Sequence, residues 1–182
     1  MLFRSKKVAI VGLGHQGLSH ADAVHQIFKP SEVIGITRKP NARSSHLFSQ
    51  CTTDSRQIRD CDLVILSTNS KTPVLTSQIK PGALCISIGS FAPDRIEVSP
   101  DLLTSKQGIY VDDLEISSNQ CGSVALALSD REKDGLALTA IGSLFSGASG
   151  KNLQNQNYFF SVGLGIQDAA LVEFLLEKLT GK

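Results

Sequence analysis

Aromatic side chains and excess charge of one sign are scarce in this sequence. Tryptophan is absent, aromatic residues make up 5% of the chain, and the formal net charge at pH 7 is +1. A nucleic-acid surface needs concentrated basic charge, and single strands are usually held by stacking aromatic rings. A protein with almost no net charge also has no strong field that attracts it to an anionic membrane. We therefore expect neither a nucleic-acid partner nor a membrane partner.

Cysteine pairs with the spacing of a metal site are also missing. The four cysteines, Cys51, Cys61, Cys85 and Cys121, form no CxxC pair, and their spacing fits no common zinc motif. Cys85 lies within an apolar run, where cysteine behaves as a small hydrophobic side chain. We therefore predict no metal site and four reduced, structural cysteines, as is usual in the cytosol.

Long apolar runs are absent as well. No segment approaches the roughly 20 apolar residues that a membrane-spanning helix needs. The N-terminal MLFRSKK is basic but leads directly into a short strand, unlike a secretory signal peptide. We predict a cytoplasmic protein. Its 182 residues suffice for one domain, or for one domain with an appendage.

The first forty residues carry the pattern of a βαβ unit. Residues 8–11 are a continuous apolar run, as expected for a strand that is buried on both faces. Apolar residues then recur at helical spacing until Pro30, which ends the helix. Residues 32–37 have the composition of a second strand, which completes a unit of about thirty residues.

Further strands are predicted at 62–68, 83–88 and 108–112, with a weak one near 51–53. Strands that alternate with helices and lack polar alternation indicate a parallel sheet. We predict an α/β fold: a Rossmann-type, doubly wound, mainly parallel sheet with C-terminal helices.

The C-terminal third has a different pattern. We predict a helix over 134–145, a turn over 146–150 and an amphipathic helix over 166–179. We divide the chain into a dinucleotide-binding Rossmann domain, residues 1–150, and a C-terminal segment and helix, residues 151–182, which serves docking or oligomerisation.

A glycine run lies between the first strand and the first helix. It reads Gly12-Leu13-Gly14-His15-Gln16-Gly17, a GxGxxG motif in its required context. The first glycine permits the tight turn, the second lets the backbone approach a pyrophosphate, and the third brings helix and strand close. The N-terminus of the helix then offers amide groups and partial positive charge to phosphate. The alternative is a glycine-rich turn that binds nothing.

The end of the second strand indicates which dinucleotide is bound. NAD-dependent enzymes usually place an acidic residue there to bind the ribose hydroxyls. This chain has Thr37, Arg38 and Lys39 instead, with Arg43 nearby. A guanidinium group suits the 2′-phosphate of NADP, which it can bind through two hydrogen bonds. We predict NADP(H), with NAD(H) as the alternative; the basic residues could instead be solvated loop charges.

Several separated motifs resemble one known family. They are GLGHQGLSH, Ser67-Thr68-Asn69, KPGALCISIGSFAPDRIEV at residues 80–98, and YFFSVGLGIQDAALVEFLLEKL at residues 158–179. Together, and in this order, they resemble the ornithine cyclodeaminase/mu-crystallin family. The resemblance implies a dinucleotide bound in a Rossmann domain. It places the following residues around the cofactor: Gly12, Gly14, His15, Gln16 and Gly17 at the pyrophosphate, Arg38 at the adenosine ribose, Thr68 and Asn69 beside the cofactor, and Ile88, Gly89, Ser90 and Ser161 towards the nicotinamide.

Two departures from the family pattern shape the functional expectation. Members carry a long segment before the glycine run that helps to form the substrate and dimerisation lobe, and this chain does not contain that segment. Phe91 stands where cyclodeaminases have a catalytic aspartate. We expect an NADP(H)-binding protein with little or no activity alone, as a homo-oligomer or with a separate substrate-lobe chain. The alternative is an NAD(P)-dependent ketimine reductase, or an ornithine cyclodeaminase-like enzyme, that acts on a small amino or imino acid and is completed by a partner chain or dimer mate.

Catalytic residues cannot be assigned from the sequence. His20 and His25 lie on the helix after the glycine run and are interpreted as packed or solvated. Asp94, Arg95 and Glu97 could contact a substrate or form a salt-bridged turn. The acidic cluster that begins at Asp112 is interpreted as a solvated strand end.

Overall fold

Eight strands form one sheet in the computed structural model, which describes residues 6–39, 46–130, 135–146 and 154–180. The strands are β1 Lys7–Val11, β2 Glu32–Ile36, β3 Gln50–Thr52, β4 Leu63–Leu66, β5 Leu84–Ser87, β6 Gly108–Val111, β7 Leu138–Ala140 and β8 Asn157–Phe160. The helices are α1 His15–Phe28, α2 Leu114–Gln120, α3 Gly122–Ser129, α4 Ile141–Phe145 and α5 Gly165–Thr180, with 3-10 helices at Ser55–Asp60 and Pro100–Leu102.

The sheet has the order β3-β2-β1-β4-β5-β8-β6-β7. All of its strand pairs are parallel. The chain runs outward from β1 through β2 to β3, then crosses to β4 on the other side of β1. This confirms the predicted Rossmann-type, doubly wound parallel sheet. The reversal of direction leaves a crevice at the carboxyl ends of β1 and β4, which is where such folds bind ligands.

The two faces of β1 explain its unbroken apolar sequence. Val8 and Ile10 pack with Ala21 and Val24 of α1 on one face of the sheet. Ala9 and Val11 contribute to the larger cluster on the opposite face. Because both faces are covered, the strand has no solvent side that would require alternating polar residues.

The predicted helix over 134–145 is wrong in its first part. Residues 138–140 form the edge strand β7, which pairs with β6, and the helix α4 begins only at Ile141. Pairing with a neighbouring strand outweighs a moderate helical preference in so short a segment. The predicted turn over 146–150 lies almost wholly outside the described residues.

Strand β8 and helices α2 and α3 were not predicted. β8 inserts between β5 and β6, so residues 157–160 belong to the same sheet as the glycine run. Its four residues are too few to show a periodicity. Whether the segment 151–182 acts in docking or oligomerisation remains a prediction.

Helix α5 confirms the predicted amphipathic helix, but none of its residues is buried. Its apolar side chains are exposed in the described structure: Ile166, Leu171, Val172, Phe174, Leu175, Leu176 and Leu179. An apolar stripe of this size marks an interaction surface in most proteins. No helix among the described residues is both long enough and apolar enough to span a bilayer.

Candidate functional site

The turn from β1 into α1 requires its first glycine. Gly12 has φ +91°, a left-handed conformation that L side chains rarely adopt, and a Cβ there would lie 2.5 Å from the carbonyl oxygen of Ser67. The Gly12 amide donates to the carbonyl of Ile36 at 2.9 Å, and its carbonyl accepts a hydrogen bond from the Ser67 hydroxyl at 2.8 Å. The turn is thereby attached to the ends of β2 and β4.

The other two glycines of the motif have different surroundings. A Cβ at Gly17 would lie 1.9 Å from the Gly12 carbonyl oxygen, so only glycine allows α1 to approach the turn this closely. A Cβ at Gly14 would have no atom within 4 Å. Gly14 is the N-cap of α1, and its cap involves no side-chain hydrogen bond. The N-terminus of α1 is therefore open to solvent and accessible to an anion, as a pyrophosphate site requires.

The end of β2 presents basic side chains to solvent. The Thr37 amide donates to the Thr52 carbonyl at 3.0 Å, which fixes the strand end beside β3. Arg38 and Lys39 follow and are exposed. The carboxylate beyond β3, Asp54, accepts two hydrogen bonds of 2.9 Å from the guanidinium of Arg56. Arg43 lies outside the described residues.

A cleft of about 450 Å³ opens at the carboxyl ends of β4, β5 and β8. Five of the residues predicted to bind the cofactor line it: Gln16, Thr68, Ile88, Gly89 and Ser161. The remaining lining residues are His20, Ser67, Phe91, Val162, Gly163 and Gln167. The structure thus brings together residues that are up to 151 positions apart in the sequence, from Gln16 to Gln167.

The other predicted residues are not among those that line the cleft. Gly12, Gly14, His15 and Gly17 form the turn at the start of α1, and Thr37, Arg38 and Lys39 follow β2. Asn69 is exposed, and its carbonyl oxygen accepts a hydrogen bond of 2.6 Å from Arg95. Asn69 therefore does not belong to the cleft lining.

His20 is among the residues that line the cleft, a position that its interpretation as packed or solvated did not include. It follows Gln16 by one helical turn and lines the cleft with Thr68 and Phe91. Partial burial lowers the pKa of this imidazole below its ordinary value of 6.5. The side chain is thus neutral at pH 7 and could donate or accept a hydrogen bond there. His25, by contrast, lies 2.8 Å from the carbonyl of Leu47, outside the cleft.

The sequence left two possibilities for Glu97, contact with a substrate or a salt bridge within a turn. Glu97 neither lines the cleft nor takes part in a described salt bridge. Its side chain is fully buried beneath the cleft and accepts hydrogen bonds from the loops that follow β4 and β5. Its neighbour Asp94 is exposed and pairs with Lys71 at 2.8 Å. Asp94 therefore forms the expected salt bridge, whereas Glu97 is buried and takes no part in it.

Asp112 is a second organising carboxylate, and its interpretation as a solvated strand end is wrong. One of its oxygens accepts hydrogen bonds from the Ser161 hydroxyl at 3.0 Å and from the amides of Val162 and Gly163 at 2.9 and 3.2 Å. These three residues line the cleft. Asp112 therefore holds the loop after β8 in place, a role that depends on contacts 49 to 51 residues away.

Metal-binding clusters are not found in the part of the chain that the structure describes: no three His, Cys, Asp or Glu side chains there are grouped to hold an ion. What the site offers is an open helix N-terminus, a neighbouring cleft and two carboxylates that fix its loops. This arrangement suits an elongated ligand with an anionic middle.

Comparison with known proteins finds proteins whose sequences are similar to this chain. The chain is 25% identical, over 189 aligned residues, to Delta(1)-pyrroline-2-carboxylate reductase of Bacillus thuringiensis subsp. konkukian (strain 97-27), an alignment that covers 96% of this chain and 58% of that protein. The chain therefore spans less than two thirds of this relative's length.

Solved structures share the fold. A probable ornithine cyclodeaminase from Bordetella pertussis Tohama I superposes with a TM-score of 0.86 at 22% identity, covering 98% of this chain and 60% of that one. The Thermococcus litoralis Delta(1)-pyrroline-2-carboxylate reductase in complex with NADH and L-proline gives a TM-score of 0.81 at 22% identity, covering 98% and 59%.

The family assignment rests on nearly the whole chain. The profile of the ornithine cyclodeaminase/mu-crystallin family matches residues 3–182, which include the glycine turn, the cleft and α5. This agrees with the resemblance of the four sequence motifs and with the sheet topology. The chain belongs to the ornithine cyclodeaminase/mu-crystallin family.

Proposed function

We propose that this chain binds a nicotinamide dinucleotide and provides the cofactor site of an NAD(P)-dependent reductase of cyclic imino acids. The observation that carries the proposal is the continuity between the open N-terminus of α1 at Gly14 and the cleft at Thr68 and Gly89. A dinucleotide can then place its pyrophosphate at the turn and its nicotinamide in the cleft, as the rule for ligands at the switch point of such sheets requires.

The comparisons support the reductase over the other activities of the family. The Bacillus relative is a pyrroline-2-carboxylate reductase, and the Thermococcus reductase was solved with NADH and L-proline. Phe91 lines the cleft, and by the family resemblance it stands at the position where cyclodeaminases have a catalytic aspartate, so an apolar side chain replaces that acid here. These relatives favour the alternative expectation, the reductase, over the main expectation of a cofactor-binding protein with little activity of its own.

A bound reduced dinucleotide would supply a hydride to the imine carbon while the imine nitrogen takes up a proton, which yields the cyclic amino acid. The chain's own contribution is to orient the reactants. Thr68 and Gly89 line the cleft, and so do the three residues from Ser161 to Gly163, which Asp112 holds in place through hydrogen bonds. Among the described residues that line the cleft, His20 is the one whose side chain can gain or lose a proton near neutral pH, and its burial lowers its pKa.

The adenosine end favours NADP over NAD in this proposal. Arg38 and Lys39 are exposed directly after β2, where a 2′-phosphate would lie, and the carboxylate of Asp54 is engaged by Arg56. A guanidinium is able to bind such a phosphate through two hydrogen bonds. Calorimetric titration with NADP⁺ and NAD⁺ tests this preference, and tighter binding of NAD⁺ would overturn it.

The proposed activity is tested by following the consumption of NADPH with pyrroline-2-carboxylate or piperideine-2-carboxylate. Turnover that depends on the imino acid supports the reductase. Binding of NADPH without turnover supports a second candidate, a cofactor-binding chain that is completed by another lobe.

The exposed apolar face of α5 favours that second candidate in one respect. Leu171, Phe174 and Leu175 are each about half exposed in the described structure, as they would not be in a finished interface. We propose that α5 docks on a second copy of this chain or on a separate substrate-lobe chain. Light scattering tests this: a dimer mass supports self-association, and a sharply monomeric mass leaves only the separate chain.

A further inference from the structure

Glu97 is a buried carboxylate without a cationic partner among the described ion pairs. Its exposed fraction is 0%, and none of the described salt bridges includes it. Burial of a carboxylate is costly unless hydrogen-bond donors replace the lost water. A residue held in so unfavourable a position must have an unusually complete set of donors.

Four neutral donors surround this carboxylate. The Thr68 amide and hydroxyl donate to Oε1 at 2.6 and 2.7 Å. The Gly89 amide and the Ser87 hydroxyl donate to Oε2 at 2.7 and 2.8 Å. One oxygen therefore binds the loop after β4 and the other binds the end of β5. The two amides are obligatory donors, so they require an acceptor at both oxygens.

Gly89 packs tightly against both Thr68 and the Glu97 carboxylate. A Cβ on Gly89 would lie 2.1 Å from the Thr68 carbonyl oxygen and 2.5 Å from Oε1 of Glu97. The loop after β4 and the loop after β5 are therefore in direct contact beside the carboxylate, and this contact is possible because residue 89 is glycine.

The main chain of Glu97 is itself anchored, which makes the carboxylate a rigid support. Its amide donates to the Ser90 hydroxyl at 3.1 Å, and its carbonyl accepts hydrogen bonds of 2.9 Å from the amides of Val74 and Leu75. Because its own main chain is fixed, the Glu97 carboxylate can hold the loops after β4 and β5 at a constant distance from each other.

We infer that Glu97 is a positioning residue that sets the spacing of Thr68 and Gly89, and with it the shape of the nicotinamide end of the cleft. The inference rests on the proposed function, since it assigns a role within the same site. Thr68 and Gly89 line the cleft, whereas Glu97 lies beneath them and acts through both. None of the described hydrogen bonds of the Glu97 side chain reaches the turn at Gly14, where the pyrophosphate would bind.

Glu97→Gln is the decisive variant. Glutamine has the same size, but its amide nitrogen presents a donor to the Thr68 or Gly89 amide, where an acceptor is needed. The dissociation constant is measured by calorimetry for NADPH and for 2′-phospho-ADP-ribose, which lacks the nicotinamide; NADH and ADP-ribose are used if NAD is the preferred cofactor. Displacement of Thr68 and Gly89 from the cofactor should cost about one hydrogen bond to it, roughly 1.4 kcal/mol, which predicts about tenfold weaker NADPH binding. Binding of 2′-phospho-ADP-ribose should stay within about twofold, because the groups near Gly14 are unchanged.

Two further variants separate positioning from general stability. Ile79→Val removes buried volume before β5, at the end of the strand opposite the cleft. It should lower the melting temperature and leave both affinities unchanged. Ser87→Ala removes one donor from Oε2 and keeps the carboxylate. It should weaken the binding of NADPH, but not that of 2′-phospho-ADP-ribose, by a smaller factor than Glu97→Gln does. It serves as the test if Glu97→Gln does not fold.

The outcomes are distinguishable. If the wild-type chain binds neither ligand, the proposed function fails, and this inference fails with it. If the wild type binds both but Glu97→Gln, or Ser87→Ala in its place, weakens both equally or neither, only the positioning role is refuted. A selective loss of NADPH affinity supports it.

Discussion

Substitution of Gly14 by alanine separates cofactor binding from folding. The new methyl group would have no neighbour within 4 Å, and the φ of −78° at Gly14 suits any L residue. Alanine is a poorer N-cap than glycine, at a cost of up to about 1 kcal/mol. The reduced freedom of the unfolded chain offsets this by roughly 0.4–1 kcal/mol. The free energy of unfolding should therefore change by less than about 1 kcal/mol, which shifts the melting temperature by at most about 4 °C.

The effect on the ligand should be much larger. The methyl group projects into the space through which a pyrophosphate would approach the backbone at the start of α1. Loss of one hydrogen bond to a charged oxygen costs about 1.5–3 kcal/mol. That corresponds to roughly 10- to 150-fold weaker binding. The assay is calorimetric titration of wild type and Gly14→Ala with NADPH, together with thermal unfolding of both proteins without ligand.

Two other glycines provide matched controls for this experiment. Gly142→Ala also places its methyl in open space, but on α4. It should raise stability by up to about 1 kcal/mol, because alanine favours the helix and restricts the unfolded chain, and it should leave the affinity for NADPH unchanged. Gly17→Ala forces a Cβ to within 1.9 Å of the Gly12 carbonyl and should destabilise the fold by about 1–3 kcal/mol. If Gly14→Ala folds normally and binds NADPH as tightly as the wild type, the pyrophosphate does not lie at this turn, and the reasoning is refuted.

Three further predictions concern charge and burial. Arg38→Ala should weaken NADP⁺ binding about tenfold or more and leave NAD⁺ binding nearly unchanged in parallel titrations, since only the 2′-phosphate differs; an equal loss for both would count against the assignment. Burial acts to raise the pKa of Asp62, but hydrogen bonds from Lys80 and from two backbone amides outweigh it and hold that pKa below 3.8. This stabilisation is present above pH 3.8 and is lost as the pH falls through the lower folded-state value. Asp62→Asn should therefore reduce stability by about 1–2 kcal/mol at pH 7, and the difference from wild type should vanish on acidification in pH-dependent denaturant melts. Thiol titration of the native protein should find Cys51 reactive and three thiols protected, because burial raises the pKa of Cys61 to about 11 and that of Cys121 to about 12, and Cys85 is fully buried; rapid reaction of all four would contradict the buried positions.

The sequence was sufficient to predict features that depend on neighbouring residues. The strand, glycine turn and helix over residues 7–28 follow from one apolar run, three glycines and a helical repeat, all within reach of each other in the chain. The α/β class followed from the recurrence of such units. The order of the four motifs was enough to indicate the family. Helix α5 was predicted within one residue at each end because its apolar period extends over four turns.

Only the tertiary structure decided which polar side chains form the site. Glu97 is 29 residues from Thr68, and Asp112 is 49 residues from Ser161, yet both pairs are in hydrogen-bond contact. In the sequence, both acids resemble the solvated residues of a turn or strand end, because residue type alone does not reveal burial. The insertion of β8 between β5 and β6 brings Ser161 to the cleft, and strand order in a parallel sheet is set by packing across the whole chain. Local periodicity determines the longer elements of this protein, such as α1 and α5, and long-range strand order determines which residues meet at its cleft.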